Sequence, residues 1–335
     1  MKFNVRYSYN FDLVNAINVL TGEPLYMEWQ EGIFERFGET LSEKSKKNIK
    51  DAVEINERPM IGPLLSLVIS AVPNFERRSV VRMFSDSNLL QNYFKQYSYY
   101  KAETWAKNLT IFGLLLPVIK ELETIGFRDY WKKERLPRIK QMQRQFHSFA
   151  NKFNLDQEVG AMLGTGQALE SMTVYLCTFA APHGIKVCGP RYITDVAYSK
   201  ETSTSIAIHE MFHPPYNSKN LADELHRLGA DPLLQHSFEK NDPKFGYSTM
   251  EGFIEENVVE AMAIYICHKL GLEKDPLAYF AKHDGGTHMF SVILFEYLSR
   301  YPKSSNITFE EYFRELFKVM PVGSLDREYE AILEK

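Results

Sequence analysis

Cysteine is scarce in this sequence. Its 335 residues hold only 3, at Cys177, Cys188 and Cys267. An odd, widely spaced set with no C-x-x-C pair excludes a disulfide framework and suits a reducing compartment or simple burial as small apolar side chains. Long hydrophobic runs are missing too. The two longest, at 61–73 and 109–119, fall well short of the roughly 18 to 20 residues of a spanning helix, and both contain proline, so no membrane span is expected. No sign of charge dominates: 39 basic residues stand against 43 acidic ones, for a net charge of -4 and a pI near 6.2. Without a global cationic field, nucleic acid is not the expected partner. Glycine (18) and proline (15) are too few for a collagenous or low-complexity chain. The opening MKFNVRYSYNFDL lacks an apolar leader, which points to the cytoplasm, or to a secreted or periplasmic protein if a leader has been removed.

What is present is an ordinary globular composition, 44% hydrophobic and 24% charged, enough for a sizeable core in one large domain or two intimate ones. Residues 1 to about 155 read almost entirely as helix, with apolar positions at three and four spacing from Phe11 to Leu20. Pro117 is expected to kink or split the helix predicted over 105–127. Between 128 and 152 eight Lys or Arg are interleaved with Trp131, Ile139, Met142 and Phe146, the pattern of a helix with a solvated basic face. After about 170 the runs become short and β-branched. Segments 172–179 and 185–188, joined through Pro182-His183-Gly184, predict a hairpin, and 192–198 a third strand. Helices return near 203. A capping box Ser248-x-x-Glu251 opens one that ends at Gly271, and Thr308-x-x-Glu311 opens another. The cysteines fall on predicted strands and a helix, as buried residues do.

The chemistry concentrates at His209-Glu210-Met211-Phe212-His213, an H-E-x-x-H sequence following Ile206-Ala207-Ile208. Four-residue spacing on a 3.6-residue turn puts both imidazoles on one helix face, close enough for one metal ion. Zinc suits neutral imidazole, and Glu210 between the two could take a proton from a water that the ion has acidified to a pKa of about 7. Such a site needs a third protein ligand. The helix after 248 carries an apolar run from Val258 to Ile266 broken only by Glu260, a carboxylate that is costly there unless a cation or donors meet it. Glu256 lies one turn earlier, about 40° away, so the two acids share a face.

H-E-x-x-H followed by a helix with E-x-x-x-E-A resembles the gluzincin metallopeptidases. More closely, the stretch from about Thr173 to Met320 is similar to an uncharacterised bacterial group of gluzincin-like proteins with helical flanks, through HEMFHPPYN, FIEENVVEA and TFEEYFREL. The resemblance implies that Glu256 is the third zinc ligand and that Glu260 steadies a ligand histidine from behind. It also implies that an edge strand holds a peptide substrate by β-pairing. A downstream Tyr or His would stabilise the oxyanion, for which His288, after Gly285-Gly286-Thr287, is the candidate; Tyr216, His226, Tyr247 and His283 are unranked alternatives. Two features depart from the pattern. Pro214 and Pro215 follow His213 directly and push it away from helical geometry, and 43 positions separate His213 from Glu256, room for an inserted cleft element at about 217–244.

The expected fold is thus α+β and predominantly helical. An N-terminal helical region (1–155) precedes a zincin-like region (156–335) in which a small β-sheet comes before the H-E-x-x-H helix. The expected activity is zinc-dependent hydrolysis of a peptide or protein substrate with one Zn2+ per chain, His209, His213 and Glu256 binding metal, Glu210 acting as base then acid, and Glu260 in support. Two rival readings are a catalytically idle gluzincin-like binding module, against which an intact Glu210 argues, and a helical interaction protein using the basic segment 128–152.

Overall fold

The structure, a computed structural model, describes residues 4–164, 172–241, 249–304 and 306–334. It is an α+β fold dominated by helices, with one four-stranded mixed sheet. Among the described residues no helix is long and apolar enough to cross a membrane. The chain divides into two compact units. One comprises Lys2–Lys152 and Ser171–Ser203, the other Phe153–Glu170 and Thr204–Lys335, so the division falls inside the helix Lys200–Met211.

The sheet belongs to the first unit and differs from the hairpin that the sequence suggested. Its strands are β1 (Asn4–Tyr7), β2 (Thr173–Cys177), β3 (Ile185–Val187) and β4 (Arg191–Asp195), in the order β1-β2-β4-β3. β2 does not pair with β3. It lies parallel to β4, with Tyr175 opposite Ile193, while β3 and β4 form the antiparallel hairpin through Gly189 at a φ of +75°. β1 completes the sheet from the start of the chain, parallel to β2, where a helical region was expected. Four residues with a single fully inward position, Val5, give too little alternation to announce a strand.

The helix Tyr9–Leu20 is buried along its whole length except at Tyr9, and so forms the centre of this unit. Asn18 Oδ1 accepts from the backbone of Ile61 (3.0 Å) and Gly62 (2.7 Å), supplying an acceptor to the orphan donors that open the helix Gly62–Ser70. The two helices touch so closely that a Cβ on Gly62 would lie 2.5 Å from Asn15 Oδ1. Pro117 does not split its helix, which runs unbroken from Ala102 to Thr124. The carbonyl that its ring deprives of a partner belongs to Gly113, which is exposed, so water can replace the lost bond. The basic segment forms an amphipathic helix, Leu136–Ala150, that buries Ile139, Met142, Phe146 and Ala150.

Asp12 is the polar centre of the unit. Fully buried, it accepts from Trp131 Nε1 (2.6 Å), Cys177 Sγ (2.8 Å), Thr178 N (2.6 Å) and Thr178 Oγ1 (3.0 Å), and so joins the central helix to the end of β2. Burial raises its pKa to about 6, against the opposing pull of these four donors. Asp12→Ala should destabilise the protein by about 3 kcal/mol in urea melts, because buried donors lose their acceptor. A raised carboxyl pKa means that the folded state holds the proton more tightly. The contribution of Asp12 is therefore fully present below pH 3.8 and lost as pH rises through about 6. The stability difference between wild type and Asp12→Asn should shrink across that window, and a flat difference would refute the assignment.

Candidate metal centre

Two helices of the second unit build the site. The first, Lys200–Met211, carries His209 and Glu210 and stops two residues short of His213. Phe212 N donates to His209 O at 3.0 Å in a tight closing turn, and Pro214 and Pro215, which have no N–H, prevent continuation. The second helix, Met250–Lys269, is capped by Thr249, whose hydroxyl accepts from Gly252 N at 3.1 Å. The cap lies one residue later than the predicted Ser248, which, like Tyr247 and the last residues of the expected insert (242–244), falls outside the described residues. The middle of this helix is buried throughout from Asn257 to Ile264. Asn257 fixes it against the helix Met289–Arg300, accepting from Ser291 Oγ at its carbonyl (2.9 Å) and from Ser291 N at its side chain (3.2 Å).

These helices bring His209, His213 and Glu256 together, with one potential ligand atom from each lying within 4.8 Å of the others. His209 Nε2 is 3.1 Å from Glu256 Oε1 and 3.1 Å from His213 Nε2, and His213 Nε2 is 3.6 Å from Glu256 Oε2. Both rings are also held at their other nitrogen. Glu260 Oε2 is 2.8 Å from His209 Nδ1, and Glu255 Oε1 is 3.2 Å from His213 Nδ1. A carboxylate can only accept, so each Nδ1 carries the hydrogen and each Nε2 turns a lone pair inward. Three acceptors then face one another without a donor, an arrangement that calls for a cation, either protons or a metal.

In the absence of a metal, the proton fills that role. Burial disfavours the His209 imidazolium, but the carboxylates of Glu256 and Glu260 outweigh it and hold the His209 pKa well above its ordinary value. Burial likewise opposes the Glu256 carboxylate, and the two histidines more than compensate, so its pKa falls to about 2. Behind Glu260 stands a further layer, in which His283, an unranked oxyanion candidate in the sequence, backs Glu260 together with Tyr279. His283 Nε2 lies 3.7 Å from Glu260 Oε1, and Tyr279, stacked on His283, places its hydroxyl 3.2 Å from His283 Nδ1.

The remaining sequence candidates fall as follows. Glu210 is 8% exposed, on the helix beside His209. His288 is buried, its ring packed edge-on against Phe253 (5.6 Å) and His283 (5.5 Å), and so reaches His209 through His283 and Glu260. Tyr216 is buried and stacked on Phe313, its hydroxyl pKa raised by burial and by the carboxylates of Glu255 and Glu251. His226 sits on the helix Ala222–Gly229. Glu255 is not singled out by the motif, which its neighbour Glu256 already satisfies. A run of two acids before the buried one, E-E-N-V-V-E, was the available signal.

No family model, curated protein or solved structure matches this chain.

The coupled His209–Glu256 pair makes a checkable demand on the metal-free protein. A raised histidine pKa stabilises fully below pH 6.5 and loses its effect as pH rises through the folded value. A depressed glutamate pKa stabilises above pH 4.5 and is lost as pH falls. The stability advantage of wild type over Glu256→Gln should therefore be greatest between about pH 4.5 and 6.5. Imidazole NMR should also show the His209 pKa dropping in the variant, and an unchanged titration would mean that the two groups are not coupled.

Proposed function

We propose that this protein is a zinc-dependent peptidase of the gluzincin kind, in which His209, His213 and Glu256 hold the metal. The convergence of two imidazole lone pairs and a carboxylate, each imidazole backed by its own acid, carries the reading. The donor set fits zinc, since neutral imidazole and carboxylate are among its usual ligands and three protein ligands leave a fourth position open. Zinc bound there would supply Lewis acidity, polarising a carbonyl and acidifying a water. The chain's own groups do the rest. Glu260 holds the His209 ring by its Nδ1–H and keeps Nε2 directed inward. Glu210, next to a ligand but about 100° around the helix from it, is free of the ligand set and takes a proton from the attacking water, then passes it to the departing amine.

Native mass spectrometry should find one zinc per chain, and Glu256→Ala should lose it. Glu210→Gln should retain the zinc and lose hydrolysis of a broad peptide library by a factor of about 10² to 10⁴. A chain that neither carries nor takes up zinc would sink the metal reading. A zinc-loaded wild type that cleaves no peptide would sink the peptidase reading and leave a binding module.

A further inference from the structure

We propose that Glu255 is a positioning residue for the metal site, fixing the ring of His213 where the helix backbone cannot. The inference rests on the reading of His209 and His213 as metal ligands. The two histidines are held in different ways. His209 lies within its helix, and its Nδ1 meets Glu260, whose side chain is only 3% exposed. His213 lies beyond the last helical residue, with two prolines following, so no helical turn continues past it. Its backbone therefore leaves the ring orientation to side-chain contacts. Zinc ligation tolerates deviations of only about 0.2 Å in ligand distance, far less than a swing about Cα–Cβ would produce.

Glu255 meets this requirement. Its Oε1 lies 3.2 Å from His213 Nδ1, and as an acceptor it selects the tautomer whose lone pair is on Nε2, the atom 3.1 Å from His209 Nε2. It also follows Glu256 in space as rigidly as in sequence, being its neighbour on one buried helix. Glu255 lies about 100° around that helix from Glu256, on the opposite side from Glu260 at about 40°. A single helix thus supplies the carboxylate ligand and the acid behind each imidazole, so that a shift of the helix would move all three together.

The side chain of Glu255 is 32% exposed, against 3% for Glu260, so solvent weakens its hold and its removal should matter less. The test uses the full chain and three variants, Glu255→Ala, Glu255→Gln and Glu251→Ala. The last removes an exposed acid one turn earlier and serves as the control for lost negative charge. Competition with a chromogenic chelator should show Glu255→Ala binding zinc roughly 10-fold more weakly, at the low end of the range for such partners. Glu255→Gln, which keeps an acceptor oxygen, should recover most of this, and Glu251→Ala should stay near wild type. The cobalt-substituted Glu255→Ala protein should show altered visible bands. In the metal-free protein, imidazole nitrogen NMR should show His213 locked with its hydrogen on Nδ1, and a mixture of tautomers in Glu255→Ala. Wild-type affinity, cobalt spectrum and tautomer in Glu255→Ala would overturn the proposal while leaving the zinc reading intact. An equal loss in Glu251→Ala would also overturn it, by reducing the effect to general charge. If the wild type takes up neither zinc nor cobalt, the metal reading fails, and the His213 tautomer alone still decides whether Glu255 orients the ring.

Discussion

Two imidazole nitrogens and a carboxylate are held within 4.8 Å of one another, each offering electrons and none offering a hydrogen. Left without a cation, such a cluster would repel itself apart, and the shifts of His209 and Glu256 in opposite directions express the same fact, a proton drawn into the gap. The features around the site serve to keep the acceptors converging. The helix Met250–Lys269 is capped at Thr249, buried along its middle and fastened through Asn257 to the helix beside it, which fixes the backbone that carries Glu256 and Glu260. Glu260 and Glu255 occupy the outer nitrogens and remove the alternative in which a ring turns its N–H inward.

Charge explains why the surroundings are built in layers. Three glutamates around two neutral imidazoles amount to three negative charges, so a bound dication would leave a net charge of about one unit. Burying that excess fully would be costly. The structure divides it: Glu260 is sunk among partners, with His283 and Tyr279 behind it, whereas Glu255 stays one-third in solvent. Glu210 is buried and adjacent to His209 on the same helix.

The sequence disclosed those parts of the site that follow from helical geometry. Glu256 and Glu260 are four residues apart on one helix, and a 3.6-residue turn brings them to one face. His209 and His213 share that spacing, but their helix ends at Met211 and the closing turn carries His213 the rest of the way. Glu255, Tyr279 and His283 depend on what packs against the helix, which no local period encodes. The same distinction separates the helices from the sheet. Leu136–Ala150 was legible as an amphipathic helix, but β1 was not, because its partner β2 lies about 170 residues away and parallel pairing at that distance leaves no trace in a four-residue strand. The predicted hairpin failed for a related reason. The turn at Pro182-His183-Gly184 suggested that β2 and β3 were neighbours, yet β4 lies between them, and only the completed sheet determines that order.

Asp12 shows the same limit from the opposite side. In the sequence it is one acid near the start of an apolar helix, indistinguishable from a first-turn residue placed to suit the helix dipole. In the fold it is fully buried, and four donors from Trp131, Cys177 and Thr178 converge on it. Glu256 is also largely enclosed, its side chain 14% exposed, yet its pKa falls while that of the fully buried Asp12 rises. The difference lies in the partners. Neutral donors offset only part of the desolvation of a buried carboxylate, whereas imidazoles that can accept a proton reverse it. A buried acid surrounded by neutral hydrogen-bond donors holds a fold together. A buried acid that faces ionisable imidazoles, with their lone pairs turned inward, is prepared for a cation.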